Sequence, residues 1–120
     1  MARWLIDGMN VIGSRPDGWW RDRPGAIERF VGELEQLEGE VTVVFDGERF
    51  ELESERVEIV FASRRGRDAA DDDIAALVVG DPEPAALTVV TSDSQLERRV
   101  RAHGARVEGA GAFRRRLAGG

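Results

Sequence analysis

The chain has 120 residues, of which 42% are hydrophobic and 33% are charged, and its net charge at pH 7 is −6. A chain of this length and composition typically folds as one globular unit, so we expect residues 1–120 to form a single domain. All 17 basic residues are arginine, cysteine is absent and there is one histidine. This excludes disulfides, cysteine-ligated zinc, lysine-based phosphate loops, Schiff-base catalysis and multi-histidine metal sites.

The sequence also lacks the signatures of membrane and secreted proteins. No apolar run approaches the roughly 20 residues that cross a bilayer, and no basic segment followed by a long apolar core opens the chain. We therefore expect a cytoplasmic protein that does not contact membranes. The negative net charge opposes long-range attraction of polyanions, but clustered arginines, as at 64–67 and 98–101, still provide local sites for phosphate groups.

Apolar segments alternate with segments of helical spacing along the chain. In chain order, the patterns predict a strand at 4–7, a helix at 24–38, strands at 41–47 and 56–62, a helix at 69–79, a strand at 86–93, a helix at 94–103, a strand at 105–109 and a helix at 110–117. The strands are mostly apolar without polar alternation, which is typical of a parallel sheet covered by helices on both faces. The sequence therefore predicts one α/β domain.

Three of the predicted strands end in an acid. Asp7 follows "LI", Asp46 follows "VVF" and Asp93 follows "VVTS". In an open parallel sheet, ligands bind beyond the carboxyl ends of the strands, near the point where the strand order reverses. If these strands are neighbours, the three aspartates meet at one site. The alternative is that each aspartate only begins a turn or caps the next helix.

The segment "RDAADDDIAALV", residues 67–78, carries further acids at the start of a predicted helix. At about 100° per residue, Asp71 and Asp73 flank the buried face and Asp72 points away, with Asp71 slightly nearer to that face. Asp68 and its neighbours would also suit helix capping and the helix dipole. The segment nevertheless holds more acids than a cap requires, and such close like charges repel each other unless a cation is present.

A cluster of aspartates without histidine or cysteine suits a hard divalent cation. Mg²⁺ and Mn²⁺ prefer carboxylate and water ligands. Such ions serve phosphoryl chemistry by lowering the pKa of a bound water and by offsetting the charge that develops on phosphate oxygens. The composition therefore favours a metal-dependent reaction at a phosphate ester.

Four motifs, in order and over nearly the whole chain, resemble a known family. "LIDGMNVIG", "VVFDG", "ADDDI" and "VVTSD" are similar to the NYN branch of the PIN-domain-like ribonucleases, particularly to its YacP-like members. The resemblance implies a three-layer α/β/α sandwich, PIN-like and Rossmann-like, with a central and mainly parallel sheet. It also implies a cleft for Mg²⁺ or Mn²⁺ and endonucleolytic cleavage of RNA, which some members perform at translating ribosomes.

The resemblance extends to individual residues. It implies that Asp7, Asp71 and Asp93 hold the metal and act in catalysis. Asn10 matches the asparagine of the opening motif, which implies that it orients Asp7 or contacts the scissile phosphate. Asp46 matches the acid after the second strand, as a further ligand or as a support for the other ligands.

Two positions leave the correspondence open. The consecutive acids at 71–73 do not fix which aspartate faces the metal. Many PIN nucleases carry an additional acid after the last motif, and this chain has no clear counterpart unless Glu97 serves.

Two segments are candidates for binding the RNA. The loop at 14–25 interleaves tryptophan with arginine, a combination that suits stacking on bases and pairing with phosphates; the alternative is that its tryptophans cover the core. The segment "SRRGR" at 63–67 precedes the acidic helix and is either a phosphate clamp or a solvated turn. The residues that we assign to RNA binding are Trp20, Arg21, Arg64, Arg65 and Arg67.

The sequence thus favours a Mg²⁺- or Mn²⁺-dependent endoribonuclease that hydrolyses phosphodiester bonds in single-stranded RNA, in mRNA decay or RNA processing and in association with the ribosome. The alternative is a non-catalytic RNA-binding or ribosome-associating module on the same fold. A small-molecule phosphohydrolase of similar architecture is a third and weaker interpretation. Both a monomer and a homodimer remain open.

Overall fold

The sheet determines the architecture of the protein. The structure, a computed structural model, describes residues 2–63, 66 and 68–119. Its strands are β1 (Arg3–Asp7), β2 (Glu40–Phe45), β3 (Val57–Phe61), β4 (Leu87–Val90) and β5 (Arg106–Glu108). They form one sheet in the order β3-β2-β1-β4-β5, and every neighbouring pair is parallel. The predicted α/β class with a parallel sheet is confirmed.

Helices cover both faces of this sheet. They are α1 (Gly8–Gly13), α2 (Arg23–Leu34), α3 (Ala69–Val79), α4 (Ser94–Ala102) and α5 (Ala110–Leu117), with short 3₁₀ turns at Trp19–Arg21 and Pro84–Ala86. Among the described residues, no helix is both long and apolar enough to span a bilayer.

Alternating side chains of the strands divide the core into two layers. On β1, Trp4 and Ile6 pack on one face with α1, α2 and α5, whereas Leu5 packs on the other face with α3 and α4. Apolar burial on both faces explains why the strand sequences lack polar alternation. The predicted three-layer α/β/α sandwich is therefore confirmed.

One helix was missed, and two predicted ends differ from the structure by three or four residues. Helix α1 was not predicted, because it spans only six residues and the residue before it, Asp7, makes no side-chain capping bond. Helix α2 ends at Leu34 rather than at residue 38, since the amides of Gln36 and Leu37 bond three residues back, as in a 3₁₀ turn. Strand β4 ends at Val90, and the predicted continuation to residue 93 is a turn into α4.

The strand order places the acidic strand ends side by side. From β1, the sheet extends to β2 and β3 on one side and to β4 and β5 on the other, so the order reverses between β1 and β4. In open parallel sheets this reversal leaves a crevice at the carboxyl ends. Asp7 ends β1, Asp46 directly follows β2 and Asp93 follows β4, which are the three adjacent central strands.

Candidate active site

A cavity of about 250 Å³ opens at the carboxyl end of the sheet, where β1, β2, β4 and α3 meet. Its walls carry five aspartates, an asparagine and a methionine. These residues are Asp7, Met9, Asn10, Asp46, Asp68, Asp71 and Asp93. Larger cavities, of about 630 and 730 Å³, lie at the amino ends of β1 and β2 and beside β3. We select the small cavity by its chemistry, because only carboxylate, amide and thioether groups converge on it.

Asp7 is fixed at the floor of this cavity. It is only 5% exposed, and its Oδ2 accepts a 2.9 Å hydrogen bond from the hydroxyl of the buried Thr91. The same Thr91 oxygen accepts a 3.1 Å hydrogen bond from the backbone N–H of Asp93. One hydroxyl therefore connects the end of β1 to the turn after β4 and fixes the positions of two aspartates relative to each other.

Asn10 anchors the same turn from α1. Its Oδ1 accepts a 2.8 Å hydrogen bond from the backbone N–H of Ser92, and Ser92 Oγ accepts a 2.8 Å bond from the N–H of Ala110 at the start of α5. Within the described part of the chain, no hydrogen bond joins Asn10 directly to Asp7. Asn10 instead positions the turn that carries Asp93, while it also lines the cavity.

The three consecutive acids of α3 face different surroundings. Asp71 lines the cavity. Asp72 pairs with Arg99 of α4 at 2.9 Å, and Asp73 accepts hydrogen bonds from the backbone N–H and the hydroxyl of Ser63, at 2.7 and 2.9 Å. The helical spacing favoured Asp71 by a small margin, and Asp71 is the member of the run that lies in the cavity.

Asp93 both caps a helix and faces the cavity. Its Oδ1 accepts hydrogen bonds from the backbone N–H groups of Gln95 and Leu96, at 2.9 and 3.1 Å, at the start of α4. Its Oδ2 accepts no hydrogen bond from residues 2–63, 66 or 68–119. The capping alternative considered for this residue is therefore correct, and it leaves one carboxylate oxygen for a ligand.

Asp46 and Asp68 complete the acidic wall. The backbone carbonyl of Asp46 accepts a hydrogen bond from the guanidinium group of Arg23, which holds the end of β2 against the start of α2. Asp68 precedes α3 but makes no side-chain capping bond. Sequence reasoning treated Asp68 only as a cap, although the excess of acids in the segment was the signal that could have assigned it to the cavity.

Burial and mutual repulsion disfavour the ionised form of Asp7. Burial is the main cause that raises its pKa, to about 7, and the charges of Asp71, Asp46 and Asp93 raise it further. The hydrogen bond from Thr91 opposes this effect. The neutral and charged forms of Asp7 are therefore balanced near neutral pH in the absence of a cation.

The pKa values of two other aspartates in the cavity, Asp71 and Asp46, are also raised. The pKa of Asp71 is raised to about 6, first by burial and then by Asp93 and Asp68. Burial also raises the pKa of Asp46, which Arg23 partly opposes. A divalent cation would relieve the desolvation and repulsion at all of these groups together.

The donor chemistry of the cavity fits a hard divalent cation, because its oxygen donors are carboxylates and an amide. Among the residues that the structure describes, however, no three His, Asp or Glu side chains are close enough to hold an ion as they are placed. Binding an ion therefore requires at least one of these side chains to rotate towards the others.

The aromatic loop before α2 contains one core residue and one exposed residue. Trp19 packs against the core, whereas Trp20 is 61% exposed, with the two rings edge to face at 6.1 Å. The Arg21 guanidinium lies 5.8 Å from the centre of the Trp20 ring. Arg23, three residues after Trp20, contacts Asp46 at the end of β2, so Trp20 lies at the same end of the sheet as the cavity.

The remaining candidates do not line the cavity or cannot be placed. Arg64, Arg65 and Arg67 lie outside the described residues. Glu97, considered as an additional acid, pairs with Arg101 at 3.2 Å on α4 and is not among the residues that line the cavity.

Comparisons with known proteins agree with this architecture. The family described as "YacP-like NYN domain" matches residues 4–119. The chain belongs to the YacP-like NYN domain family. This confirms the resemblance of the four motifs, and the YacP-like NYN match includes every strand end that contributes to the cavity. A search of curated proteins found no match.

Two solved structures share the fold of this YacP-like NYN domain. The crystal structure of the W164L mutant of Rae1 (YacP) from Bacillus subtilis has a TM-score of 0.79 and 24% sequence identity over 98% of this chain and 76% of that chain. The crystal structure of Rae1 (YacP) from the same organism has a TM-score of 0.77 and 23% identity over 98% of this chain and 74% of that chain. At this level of identity, the likeness establishes the fold alone.

Proposed function

We propose that this YacP-like NYN domain is a metal-dependent endoribonuclease that hydrolyses phosphodiester bonds in single-stranded RNA. The observation that carries the proposal is the cavity at the carboxyl ends of β1, β2 and β4. There, five aspartates from four parts of the chain converge, and two of them have pKa values raised to about 7 and about 6 by burial and mutual repulsion. Membership of the family, which resembles the PIN-like ribonucleases, supports the same conclusion.

Asp7, Asp71 and Asp93 are the proposed ligands of Mg²⁺ or Mn²⁺, with Asp46 as a further ligand or a support. When bound, the ion would supply a Lewis acid that activates water and offsets the charge on phosphate oxygens. Asp68 lines the same cavity, and we add it to the candidate ligands.

The surrounding residues keep these carboxylates in place. Thr91 fixes Asp7 through its hydroxyl, and Asn10 fixes the turn before Asp93 through Ser92. These contacts lie on strand ends and short turns, so they fix the backbone that carries Asp7 and Asp93, and only a side-chain rotation is needed to bring the carboxylates together around an ion. Rigid support of this kind is what an accurately placed catalytic group requires.

Single-stranded RNA is the proposed substrate because an exposed indole lies beside a guanidinium at the cavity end of the sheet. Trp20 is available for stacking on an unpaired base, and Arg21 for pairing with a phosphate. We propose that Arg64, Arg65 and Arg67, in the segment before the acidic helix, bind further phosphates. Action in mRNA decay or RNA processing, in the cytoplasm and at the ribosome, is part of the same proposal, whether the protein acts as a monomer or as a homodimer.

Cleavage of labelled RNA tests the proposal. End-labelled single-stranded RNA should be cut internally in the presence of Mg²⁺ or Mn²⁺ and remain intact with EDTA. Asp7→Asn and Asp71→Asn should each reduce the cleavage rate at least about 100-fold, because losing a ligand costs more than the 10- to 100-fold typical of losing a ligand's hydrogen-bond partner.

Asp72→Asn is the matched control for Asp71→Asn, because Asp72 is on the same helix and pairs with Arg99 rather than lining the cavity. Its cleavage rate should stay within about threefold of the wild type, as expected for an exposed ion pair. RNA that is bound but never cut would favour the non-catalytic RNA-binding module. Hydrolysis of simple phosphate monoesters without cleavage of RNA would favour the phosphohydrolase. Cleavage that survives EDTA and both site variants would contradict the proposal.

A further inference from the structure

The acidic residues are distributed unevenly, and the proposed nuclease function does not account for this. Residues 33–58 contain ten of the 23 acidic residues and only two of the 17 arginines, for a net charge of −8. The rest of the chain has a net charge of +2. This segment includes β2, the connection to β3 and the first two residues of β3, so one edge of the sheet is strongly negative. RNA, a polyanion, is repelled from that edge.

Part of this acidity has no partner among the residues that the structure describes. Glu33 and Glu40 pair with Arg15 and Arg3, at 2.7 and 3.3 Å. By contrast, three exposed glutamates in the connection between β2 and β3 make neither an ion pair nor a side-chain hydrogen bond with any residue in the described ranges. They are Glu51, Glu53 and Glu55. These charges are free to attract a cationic group from outside the molecule.

Within the described ranges, the outer edge of β3 has backbone groups without a hydrogen-bond partner. The N–H of Ala62 donates to the Phe45 carbonyl of β2, so the alternation along a strand directs the backbone groups of Ile59 and Phe61 away from β2. The N–H of Val57 also points outward but donates to Ser54 Oγ at 3.1 Å. Within the described part of the chain, Ile59 and Phe61 make no hydrogen bond on their outer side. They form a short, open template for another strand.

Apolar side chains flank this open edge. Two cavities, of about 730 and 410 Å³, lie beside β3, and both are lined by Leu52, Glu53 and Ile59. Phe50 and Phe61 line the smaller of the two, with their rings 5.5 Å apart. The β3 groove, defined by Phe50, Leu52, Ile59 and Phe61, therefore has half-buried apolar walls and a rim of glutamates.

We propose that the β3 groove binds an extended, basic segment of another protein, which adds to the sheet as a sixth strand. The open N–H and C=O groups of Ile59 and Phe61 would pair with its backbone. Alternate apolar side chains would contact Leu52 and Ile59, and its arginines or lysines would face Glu51, Glu53 and Glu55. Strand addition gains affinity from main-chain hydrogen bonds and specificity from the alternate side chains.

Charge favours this occupant over two others. A second copy of the chain, paired edge to edge through β3, would place the same glutamates opposite each other, and like charges directly opposite are destabilising. RNA would meet the same repulsion. The proposal is independent of the cavity, because it uses neither the aspartates nor the RNA-binding residues.

Peptide titration tests the β3 groove. The probe is a decapeptide that alternates arginine and valine, added to the ¹⁵N-labelled protein. The amide signals of Ile59 and Phe61 should shift and their hydrogen exchange should slow. A decapeptide that alternates arginine and glycine has the same charge without the apolar contacts, and one that alternates glutamate and valine reverses the charge. Both should bind at least about tenfold more weakly, a difference of about 1.4 kcal/mol.

Two protein variants locate the interaction. Ile59→Pro removes an outward N–H that the fold does not use, a change that edge strands tolerate, and it should weaken binding of the arginine-valine peptide at least about tenfold. The double variant E51Q/E53Q leaves the backbone unchanged and should weaken binding about three- to tenfold through charge alone. Asp71→Asn, which changes the acidic cavity, should bind the peptide like the wild type.

Several results would overturn this proposal. They are shifts centred on the cavity aspartates, equal affinity for the arginine-glycine peptide, no binding at millimolar peptide, and dimerisation through β3 in the absence of peptide. None of these results would affect the cleavage test, and a failure of RNA cleavage would leave the peptide test intact.

Discussion

Asp7 contributes unfavourably to the stability of the metal-free protein. A buried carboxylate loses its hydration, and Asp7 regains only one strong hydrogen bond, from Thr91, in a cavity that holds four further aspartates. Its raised pKa is the measure of that cost. Such a residue is unfavourable for stability and useful for binding a cation, which is a combination typical of functional sites.

Replacing this carboxylate should therefore stabilise the metal-free protein. At pH 8 with EDTA, Asp7→Asn should raise the free energy of unfolding by about 1–4 kcal/mol, the upper value corresponding to about three pKa units at about 1.4 kcal/mol each. Asparagine retains an oxygen that can accept the Thr91 hydrogen bond. Urea denaturation of both proteins measures the difference.

The pH dependence provides the control for this prediction. The pKa of Asp7 rises from 3.8 to about 7 on folding, so the unfolded state releases its proton first as the pH increases. The contribution of Asp7 to stability should thus fall between about pH 4 and pH 7 and stay constant above. The stability gained from Asp7→Asn should therefore be near zero at pH 4, increase up to about pH 7 and stay constant above. A gain that is independent of pH, or a loss of stability at pH 8, would contradict this account.

At the scale of the elements, the residue at the start of α1 determines how closely this helix approaches β2 beside the cavity. Gly8 begins α1 directly after Asp7, and a Cβ atom at this position would lie 2.4 Å from Cε1 of Phe45. Phe45 is fully buried, so its ring cannot move aside freely. The glycine therefore allows α1 to begin against β2, which keeps Asn10 within hydrogen-bonding distance of Ser92.

Adding a methyl group at this contact should destabilise the fold. Gly8→Ala should lower the free energy of unfolding by about 1–3 kcal/mol, because overpacking forces the core apart. Gly32→Ala is the matched control, since Gly32 lies within α2 and a Cβ atom there meets no atom within 4 Å. That change should raise stability by about 0.5–1 kcal/mol through helix propensity. Chemical denaturation that shows the same effect for both variants would contradict the close contact.

The three consecutive acids of α3 illustrate how much of the site the sequence could predict at this scale. Helical periodicity placed Asp71 and Asp73 on either side of the buried face and favoured Asp71 by only a small margin. Asp71 differs from its two neighbours because Ser63 binds Asp73 and Arg99 pairs with Asp72. Both partners come from other elements, so no local pattern contains this information.

At the scale of the whole molecule, the fold was predictable because the central strands are buried on both faces and their sequences are accordingly apolar. Runs such as "VTVVF" and "LTVV" predicted a covered parallel sheet, and the acids that follow them predicted a shared site. The strand order is a tertiary property, and so are the position of Asp68 in the cavity and the open edge of β3. Contacts between distant segments determine all three features.

The central claim is that carboxylates from distant parts of the chain share one divalent cation. The most direct test is calorimetric titration of the RNA-free protein with Mn²⁺ at pH 8, where Asp7 and Asp71 are ionised. The wild type and Asp72→Asn should bind Mn²⁺ with equal affinity, and Asp71→Asn and Asp93→Asn should each bind it at least about tenfold more weakly, a loss of about 1.4 kcal/mol. Absence of binding by the wild type at millimolar Mn²⁺, or the same affinity in all four proteins, would contradict the claim.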